Sequence, residues 1–245
     1  MMSTLEQVAE DRTKLRPWRG GVLALVTTLA MVTVSIWMWP SLAGGVETTQ
    51  RNGSTLTYPG WVFALFMPLL LVLVTVTIFV AQPIRRRVAR AVKLPLWKTD
   101  QVNEWSSSLA LTAVSVTLFG VHVLILSLAT HLEITAGLSV LAFCLGLLLI
   151  ILGNSMGKFA PLTDEQRAFL PKRMYGFVDG YRDGFRISMR RLRWVFVALG
   201  VVTCAFAIVI PWVAIFVPAL AAFAIFIPLA HGIVKGIVHS GDMDG

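Results

Sequence analysis

Four histidines and two cysteines are the residues of this 245-residue chain best suited to proton transfer, metal ligation or nucleophilic attack. Their spacing does not assemble them into a reactive set. His122 lies well inside one long apolar stretch, His231 near the end of another, and His131 in a short connection; Cys144 and Cys204 sit in separate apolar runs. No His/Cys/Asp/Glu spacing matches a metal site, and no HExxH, P-loop, GxGxxG or nucleophile–base pair occurs. The residues therefore predict no metal, no cofactor and no enzymatic activity. Lone cysteines in apolar runs read as small packing residues. His122 is the one candidate intramembrane polar site. An ionisable group in that setting can relay protons or bind a ligand, or it can simply donate one hydrogen bond to a neighbouring helix.

A second pattern bears on recognition. From Tyr175 to Arg190 the chain keeps a four-residue rhythm: glycines at Gly176, Gly180 and Gly184, aromatics at Phe177, Tyr181 and Phe185, and arginines at Arg182, Arg186 and Arg190, with Asp179 and Asp183 between them. On a helix, residues four apart stack along one slowly drifting ridge. The glycines would form a groove, the aromatics a ridge beside it, and the arginines a basic ridge with aspartates in pairing range. Three glycines cost a helix about 1 kcal/mol each relative to alanine, so close approach by another helix is expected to offset them, as in small-xxx-small packing. Gly176, Phe177, Gly180, Tyr181, Arg182, Gly184, Phe185 and Arg186 are the candidate partner-binding residues. The competing reading is an amphipathic helix leading into a span, its aromatics in the lipid interface.

Positioning these residues is a task for membrane helices. The chain is 56% hydrophobic and only 14% charged, against about 25% charged in soluble domains. That balance excludes a soluble enzyme, a disordered chain and a disulfide-stapled secreted module. A span needs roughly 20 apolar residues, and six stretches qualify: Gly20–Trp39, Trp61–Ala81, Ser108–Ala129, Thr135–Gly153, Trp194–Ile210 and Val213–Ile233. The expected fold is all-α, a polytopic protein with six transmembrane helices. Residues 1–19 form an N-terminal tail, 20–81 the first two helices around a polar outer loop at 40–60, and 82–107 a basic loop. Residues 108–153 form a helical hairpin, 154–193 a basic amphipathic segment, 194–233 a second hairpin and 234–245 a tail.

Charge sets the expected orientation. Arg12, Lys14, Arg16 and Arg19 precede the first span, and Arg85–Arg87, Arg90, Lys93 and Lys98 follow the second. Lys158, Arg167, Lys172, Arg173, Arg182, Arg186, Arg190, Arg191 and Arg193 lie between the fourth and fifth, and Lys235 follows the sixth. All of these fall on one side and Arg51 alone on the other, so the positive-inside rule places both termini in the cytoplasm of a cell-membrane protein. The net charge of +8 thus reports topology and requires no nucleic acid. Anionic lipid is the expected partner of the basic loops. All eight tryptophans fall near span ends, as an interfacial belt requires. The first span also has the basic start of a signal sequence, but its apolar stretch exceeds a usual signal core.

From Leu109 to Pro161 the chain resembles the SdpI-type immunity membrane proteins of bacteria. The resemblance rests on Val121-His122 in mid-span and on Gly153-Asn154-Ser155-Met156-Gly157-Lys158-Phe159-Ala160-Pro161, with Asn154, Gly157, Lys158 and Pro161 as its motif residues. The family's Gly-Ile-Arg-Thr-Pro-Trp-Thr stretch after that proline has no counterpart here. The resemblance implies an integral membrane protein that protects against a toxin or captures a cytoplasmic regulator, with no catalysis. By the residues alone, Asn154 can cap a helix C-terminus and Lys158 can complement the helix dipole there. The expected function is therefore protein binding in the membrane, as an immunity or signalling protein or as an accessory subunit of a larger complex. The alternative is a small-molecule or lipid transporter with His122 near its pathway.

Overall fold

The computed structural model describes residues 18–49, 55–91, 100–131, 133–156, 174–224 and 226–241. Their order is α1 (Trp18–Leu42), β1 (Val46–Thr49), β2 (Thr55–Tyr58), α2 (Gly60–Ala91), α3 (Asp100–Ala129), α4 (Ile134–Met156), α5 (Tyr175–Val209), α6 (Pro211–Ala224) and α7 (Phe226–Gly241). Five helices have the length and apolarity to cross a membrane: α1, Gly60–Ala81 of α2, Trp105–Ala129 of α3, α4 and α5. Large apolar side chains remain exposed on them, among them Leu25, Leu29, Ile36, Leu69 and Leu73. Hydrocarbon is the solvent that such faces require, and five spans of this kind make a multi-pass membrane protein.

The stretch expected as one sixth span is divided into α6, of 14 residues, and α7, of 16. At 1.5 Å per residue these reach about 21 and 24 Å, each short of the roughly 30 Å hydrocarbon core, so a sixth crossing would need both helices in succession. Pro228 supplies a reason: it has no N–H for the carbonyl of Ala224, and its ring crowds that carbonyl. The basic segment after the second span continues α2 as helix to Ala91. The polar loop at 40–60 contains an antiparallel hairpin, with Val46 opposite Tyr58 and Thr49 opposite Thr55. Four of its eight strand residues are Thr, which suits a pleated backbone. Gly45, at φ +83°, turns the chain out of α1 into β1, a conformation that glycine adopts at little cost.

The chain forms two compact units, one up to Leu141 and one from Ala142 onward. In the first, α1, α2 and α3 pack together around Ala24, Met31, Met67 and Leu71, and nearer the hairpin around Met38, Leu42, Ala64 and Leu126. In the second, α4 and α5 meet where Gly146 and Gly200 oppose each other: a Cβ on Gly200 would lie 2.7 Å from the Gly146 carbonyl. Leu149, Met156, Phe185, Met189, Leu192, Phe196 and Ala221 form its core. The α6–α7 arm returns antiparallel along α5. Ala214 packs with Ala207, Ala221 joins the cluster of Leu192 and Phe196, and Gly232 and Gly236 lie against Tyr181 and Phe177. The arm therefore runs the length of α5 despite its break.

Candidate functional site

The glycine, aromatic and arginine rhythm of residues 175–190 is helical and forms the first half of α5, continuous with the apolar second half. Gly176, Gly180, Gly184 and Phe185 are buried, and Phe177 and Tyr181 half-buried. The three rings run down one side, Phe177 and Tyr181 stacked at 6.3 Å between centroids and Tyr181 and Phe185 tilted by 32° at 6.0 Å. What they lie against is α7. A Cβ on Gly232 would come within 2.9 Å of the Tyr181 ring, and one on Gly236 within 2.7 Å of the Phe177 ring. In return, Gly184 faces the His231 carbonyl and the Cα of Gly232, which its Cβ would approach to 3.0 and 3.1 Å. The contact is reciprocal small-residue packing: each helix offers glycine notches to the other's bulk. A hydrogen bond between the Ser188 hydroxyl and Nδ1 of His231 closes the same interface.

The opposite face of this half-helix carries charge. Asp183, Arg186, Ile187, Arg190 and Arg191 are exposed, while Arg182 and Asp179 are half-buried. Trp194, 66% exposed, marks the change from charged to apolar along α5, and the Arg193 guanidinium lies 5.4 Å from its ring. The candidate partner-binding residues thus divide. Gly184, Phe177 and Tyr181 face the chain's own α7, with Gly176, Gly180 and Phe185 buried beside them, and Arg186 points outward.

His122 is fully buried in the first unit and joins three helices. Its Nε2 lies 3.0 Å from Ser35 Oγ on α1 and 3.2 Å from the Met31 carbonyl. The Ser35 hydroxyl gives its single proton to the Ala64 carbonyl of α2 at 2.9 Å. Nε2 must then carry the imidazole proton and share it between Ser35 and Met31, which leaves Nδ1 as an acceptor. That Nδ1 has no partner among the described residues, and neither does Ser115 Oγ, also fully buried. Ser115 precedes His122 by seven residues, two turns up the same face of α3.

The remaining candidates are placed simply. Cys144 is buried, Cys204 is half-buried, and both thiols are free. Cys204 packs against Gly146 and its S–H reaches the Phe143 carbonyl at 3.7 Å. Among the described residues no three His, Cys, Asp or Glu side chains gather as a metal site would need. Asn154 lies exposed within the last turn of α4, two residues before its end at Met156, so it continues the helix where a left-handed cap was expected. Gly157, Lys158 and Pro161 lie outside the described residues, as does the capping pattern at 163–166.

Sequence reasoning missed Ser35, Ser188 and the glycine pair of α7. The i, i+4 spacing of Gly232 and Gly236 is a small-xxx-small signal visible in the sequence. Nothing in the sequence marks Ser35, whose role arises only where three helices converge. No protein-family model, curated protein or solved structure matches this chain, so its function is argued from its own geometry.

Proposed function

We propose that the chain is a non-enzymatic protein of the cell membrane, with both termini cytoplasmic, that acts by binding another protein through the charged face of α5. One observation carries this reading. The inner face of that half-helix is occupied by α7, while Asp183, Arg186, Ile187, Arg190 and Arg191 stay exposed. At 35 residues α5 measures about 52 Å, well beyond the roughly 30 Å of hydrocarbon, so its charged half extends past the span. Packed against α7, it is a rigid rod rather than a loose tail, and arginine forks suit carboxylates on a partner. The SdpI-type resemblance around His122 and Asn154 favours an immunity or signalling role. The small-residue packing of α5 and α7 equally suits an accessory subunit.

A photocrosslinking residue at Ile187, in the intact membrane, tests the reading. A discrete protein adduct is expected, lost when Arg186 and Arg190 are both changed to Glu. Adduct formation no greater than at Leu69, an outward position on α2, would overturn it. The second reading, a small-molecule or lipid transporter, is favoured by one feature: Nδ1 of His122 and Oγ of Ser115, buried inside the first unit, have no partner among the described residues.

A further inference from the structure

The first unit contains a cavity of about 460 Å³ at its hairpin end, within the roughly 300–1,000 Å³ typical of small-molecule pockets. Val46 of β1, Phe63, Phe66 and Met67 of α2, and Ala129 of α3 contribute to its wall, and Glu47 and His131 are its ionisable members. We infer that this cavity holds one acyl chain of a membrane phospholipid, with an ammonium headgroup seated at Glu47. The inference is independent of the docking face on α5.

Three observations argue for a lipid. First, the level is right. Exposed Trp37, Trp39 and Trp61 cluster at this end of α1 and α2, and such tryptophans settle at the boundary between headgroups and hydrocarbon. The α2 lining runs from Val62, next to Trp61, to Met67, so it descends about 7.5 Å from that boundary into the acyl region. Second, the cavity communicates with hydrocarbon. Phe66 and Leu128 both line it and are 58% and 48% exposed on the flanks of α2 and α3. Third, polarity is confined to one end. The wall residues from the helices are apolar, which suits a methylene chain and offers nothing to a water-soluble ligand. Glu47 lies on the strand next to Val46, and His131 lies in the turn that follows α3, held at φ 54°. A carboxylate and an imidazole together match a zwitterion: the carboxylate takes the ammonium, and the imidazole can hydrogen-bond the phosphate. A glycerol headgroup would meet the Glu47 carboxylate with no cation to pair it.

The test uses the full chain in nanodiscs of mixed phosphatidylethanolamine and phosphatidylglycerol, each supplied in turn with a diazirine on its acyl chain. Adducts are expected to concentrate on peptides containing 62–67 and 125–131, with the ethanolamine probe ahead. Leu128→Trp, at the exposed flank and therefore tolerable to the fold, should lower labelling there by roughly tenfold, equivalent to about 1.4 kcal/mol. Ala129→Phe should do the same from within. Glu47→Gln should leave total labelling intact but equalise the two probes. Labelling spread evenly over all lipid-facing helices, or unchanged by Leu128→Trp, would overturn the cavity as a lipid site. Equal labelling by the two probes in the unaltered chain would overturn the ammonium seat.

Discussion

His122 ties α1, α2 and α3 together through one nitrogen, and the arithmetic of protons explains why its other nitrogen is left over. Ser35 has a single hydrogen and spends it on the Ala64 carbonyl, so the imidazole must donate from Nε2. The Ser115 hydroxyl, two turns away on α3, is likewise without a partner among the described residues. A buried polar group without a partner costs about 1–3 kcal/mol, which makes Ser115→Ala informative. If the hydroxyl serves nothing, the substitution should leave the melting temperature in detergent unchanged or raise it. If it lines a solute pathway beside His122, the same substitution should lower solute flux at undiminished stability. His122 stands out in the sequence because an imidazole in an apolar run needs either a hydrogen-bond partner on a neighbouring helix or a function. Its partner is not legible, because serine in a membrane helix ordinarily bonds back to its own helix, as Thr28, Thr75 and Thr203 do here.

The pairing of α5 with α7 accounts for the glycine rhythm that sequence periodicity brought out. Of the α5 glycines, Gly184 has α7 as its close neighbour, and Gly232 and Gly236 on α7 provide complementary notches for Tyr181 and Phe177. Gly232→Leu should therefore force the helices apart at the cost of about 1–3 kcal/mol expected for overpacking. The readout is a lower melting temperature together with faster amide exchange in α7. Gly44→Ala is the matched control, since its Cβ would meet nothing within 4 Å, and it should leave both measurements alone. Spans one to five could be found by length and apolarity, which depend only on local composition. The division into α6 and α7 is not legible in the sequence, which reads as one span from Val213 to Ile233. Pro218 lies inside α6 without ending it, whereas Pro228 lies three residues past the break. Which proline divides a helix depends on whether packing compensates the carbonyl it leaves bare.

The proposed orientation rests on the distribution of basic residues and can be checked directly. In a background lacking Cys144 and Cys204, a membrane-impermeant thiol reagent should label Thr57→Cys on the hairpin in intact cells. Arg186→Cys should react only after permeabilisation, and the reverse pattern would invert the topology. The sequence by itself determined that this is a multi-pass helical membrane protein and where five of its helices run. It also determined that residues 175–190 present glycine, aromatic and arginine ridges. These are properties of composition and period, set by hydrocarbon thickness and the 3.6-residue turn. Tertiary structure alone decided that α7 packs against Gly184, Tyr181 and Phe177 and that a hydroxyl on α1 meets the imidazole on α3. It also decided that a short hairpin and two helix ends enclose an apolar cavity at the membrane boundary. Each of these depends on residues tens of positions apart coming within a few ångströms, and no local pattern encodes that separation.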